Sequence, residues 1–258
     1  MENKKEQKKN IILSKYLPLL EGHYVIRSLE KNDLLNDRNH EECFIIKEGS
    51  VLARDKSGKT TTLNKGDPIG FAEAMVSRPY ELKYILKEDT IVFAFENSLI
   101  RKIIASSSSL MRGIAKYTLD RIFHNSKSKT YHLIDDGFLS KQEDKFPLKE
   151  YSDGDTIFMI NQKPKFFFYV ESGTVHLVSK NEKVIATFNH GESFGEMALF
   201  TNTLRSVTAK SVGKTTLQVV SAEFINNYFD NEDPLIKFCL LSIFGRLKAM
   251  NNLRNLVL

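Results

Sequence analysis

The run Phe194-Gly195-Glu196-Met197-Ala198-Leu199-Phe200-Thr201-Asn202-Thr203-Leu204-Arg205-Ser206-Val207-Thr208-Ala209 decides how the rest of the chain is read. Gly195 has no Cβ, so its backbone can approach a ligand closely. Glu196–Phe200 is long enough for one helical turn or slightly more. The unpaired N–H groups and the dipole of such a turn favour an anion. Arg205 is followed by alternating Val207 and Ala209, the pattern of a strand that carries the guanidinium back toward the helix end. A planar guanidinium binds two phosphate oxygens at once, and that charge-assisted contact is stronger than a neutral hydrogen bond. The Glu196 carboxylate gains nothing from a phosphate, but it can accept a hydrogen bond from a ribose 2′-hydroxyl.

Outward from this run the chain repeats itself. Cys43-Phe44-Ile45-Ile46-Lys47-Glu48-Gly49-Ser50-Val51 aligns with Phe167-Phe168-Tyr169-Val170-Glu171-Ser172-Gly173-Thr174-Val175, and Phe71-Ala72-Glu73 aligns with Phe194-Gly195-Glu196. Leu110 and Arg121-Ile122 align with Leu235 and Arg246-Leu247. Three ordered matches at nearly constant spacing argue for a duplicated domain. Each half begins with a short helical segment, Ile11 to Leu20 in the first. Short runs rich in Val, Ile, Phe and Thr follow, divided by turns such as Lys65-Gly66-Asp67 and Ser152-Asp153-Gly154-Asp155. Each half closes with helices. Ser221 is placed to cap a helix before Phe224–Phe229, and Asp233-Pro234 starts a long one, with Asp as N-cap and Pro at the first helical position. Ser108 or Ser109 would cap its counterpart. Phe166-Phe167-Phe168-Tyr169 reads as a strand buried on both faces rather than a stacking platform.

The expected fold class is α+β: two tandem β-roll domains, jelly-roll-like and antiparallel, each flanked by an N-terminal helix and C-terminal helices. The expected divisions are a basic tail over 1–10, a first domain over 11–130 with a polar linker near Asn125–Lys129, and a second domain over 131–258.

The 194–209 segment closely resembles the phosphate-binding cassette of cyclic nucleotide-binding domains, in which an FGE…R-[ST/A]-A-T pattern grips cAMP or cGMP. The resemblance implies that Glu196 holds the ribose and Arg205 the cyclic phosphate. Phe194, Gly195, Met197, Ala198, Ser206 and Val207 would complete the cassette, with Val207 a mild departure from the family's alanine. Gly173 matches the glycine of the family's Y-x-[VI]-x-x-G turn, and Arg246-Leu247 matches an Arg-Leu often seen in the closing helix. A residue of that helix should cap the base, and Arg246, Met250 or Asn251 are the candidates. Ser206 permits either nucleotide. The first half departs from the pattern. In an ungapped alignment Leu82 stands opposite Arg205, Lys83 opposite Ser206, and Ala72 opposite the cassette glycine. Removing one partner of a desolvated charge pair costs ~2–5 kcal/mol, at least ~30-fold in affinity. The first domain is therefore expected to be silent toward cyclic nucleotides, and to act as a packing or partner surface.

Length and composition agree with this organisation. A chain of 258 residues suits two domains, and 41% hydrophobic residues suffice for packed cores. The net charge of +5 is mild, and its dense part is Lys4, Lys5, Lys8 and Lys9, a solvated tail rather than a nucleic-acid face. The two cysteines, Cys43 and Cys239, form no disulfide framework and suit a reducing compartment, which points to the cytoplasm. No apolar run reaches the ~18–20 residues of a membrane span, and no signal peptide is recognisable. Gly213-Lys214-Thr215 imitates the end of a P-loop, but Thr208 stands where the loop needs a glycine. The histidines show no metal-ligand spacing, His40 near Cys43 included. No nucleophile elbow or paired-carboxylate motif is present. No metal, no cofactor and no catalytic residue is expected, and the protein is not read as an enzyme.

In the closing helix Ile236, Leu240, Ile243, Leu247, Met250, Leu253 and Val257 form a stripe that suits packing against its own roll. The alternative is a homodimer seam, as in bacterial regulators resembling the catabolite activator protein. Those regulators continue into a helix-turn-helix, whereas this sequence stops at Leu258. Tandem domains also resemble the regulatory subunit of cAMP-dependent protein kinase, but the docking helix and inhibitory segment that precede its domains have no counterpart in this sequence. The leading expectation is a cytoplasmic receptor that binds one cAMP or cGMP in its second domain and signals allosterically to an unidentified partner protein. The competing readings are a nucleotide-independent scaffold of the same fold, and a transcription-associated regulator acting through its basic tail.

Overall fold

The computed structural model describes residues 15–31, 35, 41–123 and 146–253, without the side chain of Asn252. The basic tail, the start of the first helix, His40, the 125–129 linker and Val257 lie outside the described residues. The chain divides into two compact units. Among the described residues, unit 1 takes in those up to Ser107, those from Thr118 to 123, and those from Glu232 on. Unit 2 takes in Ser108–Tyr117 and those from 146 to Asn231. Both are rich in antiparallel β-structure with helices attached.

Unit 1 opens with a 3-10 helix, Leu17–Leu20, started by Pro18. Its strands are β1 (Val25–Leu29), β2 (Glu42–Glu48), β3 (Val51–Arg54), β4 (Thr60–Leu63), β5 (Pro68–Ile69), β6 (Lys83–Leu86) and β7 (Thr90–Glu96). One sheet has the order β1-β7-β2-β5 and the other β4-β3-β6. Strand periodicity sets the core: Val51 and Ala53 of β3, and Val92 and Ala94 of β7, point inward at every second position. Helices α1 (Phe71–Met75), α2 (Asn97–Ser106) and α3 (Ser109–Ile122) follow in chain order, with α3 running from unit 2 into unit 1.

Unit 2 carries one six-stranded sheet. It holds β8 (Leu148–Tyr151), β9 (Thr156–Phe158), β10 (Phe166–Val178), β11 (Val184–Asn189), β12 (Ser193–Phe194) and β13 (Thr208–Ser221), in the order β11-β10-β13-β8 with β12 on β10 and β9 on β13. Its core includes a string of rings. Phe158, Phe168 and Phe188 surround Phe194 at centroid distances of 6.0, 5.3 and 5.4 Å. Phe167 through Val170 are all buried, as read from the sequence, but Phe166 is 41% exposed because it begins β10 at the rim. Helix α4 (Glu196–Phe200) separates β12 from β13, and α5 (Ala222–Asp230) closes the unit. The Ser221 hydroxyl accepts from the Phe224 N–H at 3.1 Å, the cap read from the sequence.

The long closing helix, α6 (Pro234–Leu253), starts where Asp233-Pro234 directs it, with the Asp233 carboxylate accepting from the Leu235 N–H at 2.7 Å. It belongs to unit 1, packing against α1, α2, β4, β5 and the 3-10 helix, and not to the unit whose roll precedes it in sequence. Most of its stripe within the described residues is buried in the single chain. Ile236, Leu240, Ile243, Leu247 and Leu253 are each at most 3% exposed, which leaves no seam for a second copy along them.

Candidate functional site

The cassette residues meet at one corner of unit 2. Strand β12 hands the chain to Gly195, whose φ of 89° lies in the left-handed region that favours glycine. That turn starts α4 with Glu196 in its first turn, almost wholly buried. Met197 and Ala198 lie half-buried along it, and Phe194 is sealed in the aromatic core. After Asn202, with φ of 48°, the chain doubles back to Arg205. Main-chain hydrogen bonds fix this return: Asn161 N–H to Arg205 O at 2.8 Å, and Arg205 N–H to Gln162 O at 2.9 Å.

Arg205 is only 4% exposed. Its Nη1 donates to the Gly195 carbonyl and its Nη2 to that of Phe166, both at 2.5 Å. The guanidinium lies over the Phe158 ring, 4.1 Å from the centroid, a cation–π geometry. Burial pushes its pKa down to about 10, against a small upward pull from Glu196, so the group is a cation at neutral pH. A guanidinium has five N–H donors, and the two carbonyls occupy two of them. A Cβ on Gly195 would come within 3.0 Å of Nη1, so the glycine both makes the turn and admits the arginine. Val207 joins the Phe194 core and Ser206 is exposed beside it. The corner thus gathers Phe194, Gly195, Glu196, Met197, Ala198, Arg205, Ser206 and Val207.

The base-cap candidates are grouped with unit 1. Arg246 is 2% exposed and its Nη2 donates to Glu73 Oε1 at 3.0 Å. Met250 packs against the core of unit 1, and Asn251 sits on the same helix. All three belong to unit 1 because α6 does.

Unit 1 contains the same corner with different side chains, in a register that corrects the ungapped reading. Gly70, with φ of 81°, starts α1 as Gly195 starts α4. Ser77, with φ of 52°, matches Asn202 at 48°. Asp67 accepts from the Asn64 N–H at 2.8 Å as Glu192 accepts from that of Asn189 at 2.7 Å. Each pair is 125 residues apart, which places Phe71 opposite Glu196, Tyr80 opposite Arg205 and Leu82 opposite Val207. Tyr80 takes the arginine's post. Its hydroxyl donates to the carbonyl of Glu42 at 2.6 Å, and Glu42 begins β2 as Phe166 begins β10. A Cβ on Gly70 would meet the Tyr80 ring at 2.5 Å. The signal in the sequence was Gly66-Asp67-Pro68-Ile69-Gly70 beside Gly191-Glu192-Ser193-Phe194-Gly195.

Residues 148–232 match the family model of the cyclic nucleotide-binding domain. The match begins at β8 and ends just beyond α5, where the chain passes from unit 2 to unit 1. Among curated relatives, a cAMP-dependent protein kinase regulatory subunit of Schizosaccharomyces pombe is 21% identical over 188 residues, 72% of this chain and 44% of the relative. A cGMP-dependent protein kinase of Plasmodium berghei is 39% identical over 112 residues, 40% of this chain and 13% of the relative. This chain spans less than half the length of these relatives. A solved regulatory subunit of a cAMP-independent protein kinase A from Trypanosoma brucei is similar at 16% identity with a TM-score of 0.37, over 90% of this chain and 89% of that one. Among the described residues no helix is long and apolar enough to cross a membrane, and no three His, Cys, Asp or Glu side chains gather at a metal-binding distance.

Proposed function

We propose that this protein is a cyclic nucleotide receptor, binding one cAMP or cGMP in the roll of unit 2 and passing the change to a partner protein. The observation that carries this is Arg205, a buried cation held behind a left-handed glycine at the start of α4, beside the buried Glu196 carboxylate. Arg205 takes the cyclic phosphate with its remaining donors, the N–H groups that open α4 add to the anion site, and Glu196 accepts the ribose hydroxyl. Phe194, Met197, Ala198, Ser206 and Val207 shape the pocket around them.

The two units are tandem copies of one roll, and only the second keeps the polar pair. In the first, Phe71 and Tyr80 stand in place of Glu196 and Arg205, so that copy is silent toward cyclic nucleotides. The chain acts through binding rather than catalysis, in a reducing, cytoplasmic setting that suits its two free, buried cysteines. The regulatory subunits among its relatives favour a protein kinase as the partner that reads the change. Isothermal titration with cAMP and with cGMP tests the reading. One site per chain is expected. No heat from either nucleotide at millimolar concentration would overturn it, and two sites would overturn the silence of unit 1. A scaffold that ignores nucleotides is the second reading, favoured by the two carbonyls that already hold Arg205; it predicts the silent titration.

A further inference from the structure

In unit 1 the corner formed by β5 and α1 is filled by protein, and the occupant is α6. Gly245 lies so close to Pro68 of β5 that a Cβ on it would stand 3.1 Å from the proline Cδ and Cγ. One residue on, Arg246 reaches Glu73 of α1 at 3.0 Å, with both side chains at most 2% exposed. Further along, Ala249 and Leu253 enter the core of the roll. At the other end Phe238 meets Phe71 at 5.6 Å and Phe95 at 5.3 Å. The contact residues of α6 thus run along most of its length.

Phe71 and Tyr80 stand in the register of Glu196 and Arg205. The corner has exchanged its polar pair for two aromatic rings, and its one buried carboxylate, Glu73, faces an arginine of a helix instead of a sugar. A backbone frame suited to an anionic ligand has been re-equipped for an apolar helix whose one buried cation is Arg246. We infer that the first roll is a helix receptor and that α6 is its ligand, seated by Gly245 against Pro68 and keyed by Arg246 to Glu73. The mode is a helix in a groove, where apolar anchors supply affinity. The charge pair contributes register more than strength. Glu73 Oε2 and Arg246 Nε and Nη1 have no hydrogen-bond partner among the described residues, and buried polar atoms left that way work against docking. This inference concerns unit 1 alone and holds or fails independently of nucleotide binding in unit 2.

The test uses the full chain with Gly245→Val and a fluorescein-labelled peptide of residues 234–253 extended by a short lysine tail. The substituted helix can no longer seat against Pro68, so the groove becomes vacant and the native-sequence peptide fills it. Peptide affinity is expected to be at least tenfold higher for the variant than for the wild-type chain, and a peptide carrying Arg246→Glu should bind at least tenfold more weakly than the native one. Amide exchange protection of β2 and β7, the central pair of unit 1, certifies that the variant's groove is folded. If that protection is lost, Ala249→Asp replaces Gly245→Val in the same assay. Equal peptide binding by wild-type and variant chains, or indifference to Arg246→Glu, overturns the assignment.

Discussion

Replacing Arg205 with alanine perturbs the site and the fold together, and the two effects have separable sizes. In the fold, the guanidinium donates to two carbonyls and covers the face of Phe158. An unsatisfied buried acceptor costs ~1–3 kcal/mol, and a cation–π contact is worth ~0.5–2 kcal/mol. Water entering the space left by the side chain recovers part of this. Removal of a desolvated charge recovers more, since burial already pulls the Arg205 pKa down to about 10. A net loss of about 2 kcal/mol in the stability of unit 2 is expected. In the site, deleting one partner of a desolvated charge contact costs ~2–5 kcal/mol, which is ~30- to ~4,000-fold in affinity for the nucleotide. Denaturant unfolding followed by amide exchange in β10 and β13 measures the first quantity, and calorimetric titration at a temperature where the variant is folded measures the second. A folded Arg205→Ala chain that binds cAMP or cGMP within threefold of wild type would refute the assignment of Arg205 to the phosphate.

Gly195→Ala forces a side chain into φ of 89° and brings its Cβ to 3.0 Å from Arg205 Nη1; left-handed strain alone costs ~1–2 kcal/mol, so thermal unfolding should fall by several degrees and nucleotide affinity with it. For the buried pair in unit 1, Glu73→Gln and Arg246→Met should each cost ~3–5 kcal/mol. The double variant should recover at least half of the summed loss, because the penalty comes from leaving one charge alone; denaturant midpoints of the four chains read this cycle. Nucleotide affinity should be flat from pH 6 to 9 and weaken about tenfold per unit above pH 10, because Arg205 is cationic until its pKa of about 10 is passed. The linkage to stability has the opposite sense. The folded chain holds this proton less tightly than the unfolded one, so burial of Arg205 opposes folding below pH 10 and the penalty fades as pH rises toward the ordinary arginine value.

The parts of the molecule that were legible in the sequence are those fixed by local chemistry. Gly195, the short helix after it and the return to Arg205 are set within about a dozen residues, and Ser221 and Asp233 cap the helices that follow them. The register of the first half was misread because two shared letters, the Phe and Glu of Phe71-Ala72-Glu73, outweighed a backbone demand. The left-handed positions Gly70 and Ser77 define the register, and Ser77 does not announce a positive φ as glycine does. The site of α6 was not legible for a different reason. Its apolar stripe reports that the helix is buried but carries no address. The address is the contact of Gly245 with Pro68 and of Arg246 with Glu73, the latter spanning 173 positions of sequence.

The pairing of Tyr80 with Arg205 separates what the arginine does for the fold from what it does for a ligand. Each side chain lies under a left-handed glycine that could not carry a Cβ without meeting it, and each donates to the first carbonyl of a long strand, Glu42 of β2 or Phe166 of β10. A phenol can therefore satisfy the structural role: one donor, a flat ring and the same reach. It cannot offer a cation or a forked pair of donors to a phosphate. Arg205→Tyr should accordingly fold within about 1 kcal/mol of wild type, with the hydroxyl on the Phe166 carbonyl and the ring against Phe158, since aromatic pairing there is worth ~0.5–1.5 kcal/mol. Its nucleotide affinity should nevertheless drop as far as that of Arg205→Ala, at least ~30-fold. Denaturant unfolding and calorimetry on the two variants side by side decide the matter. If Arg205→Tyr is as unstable as Arg205→Ala, the two corners are not equivalent, and the exchange of a ligand-holding arginine for a structural tyrosine is the wrong account of unit 1.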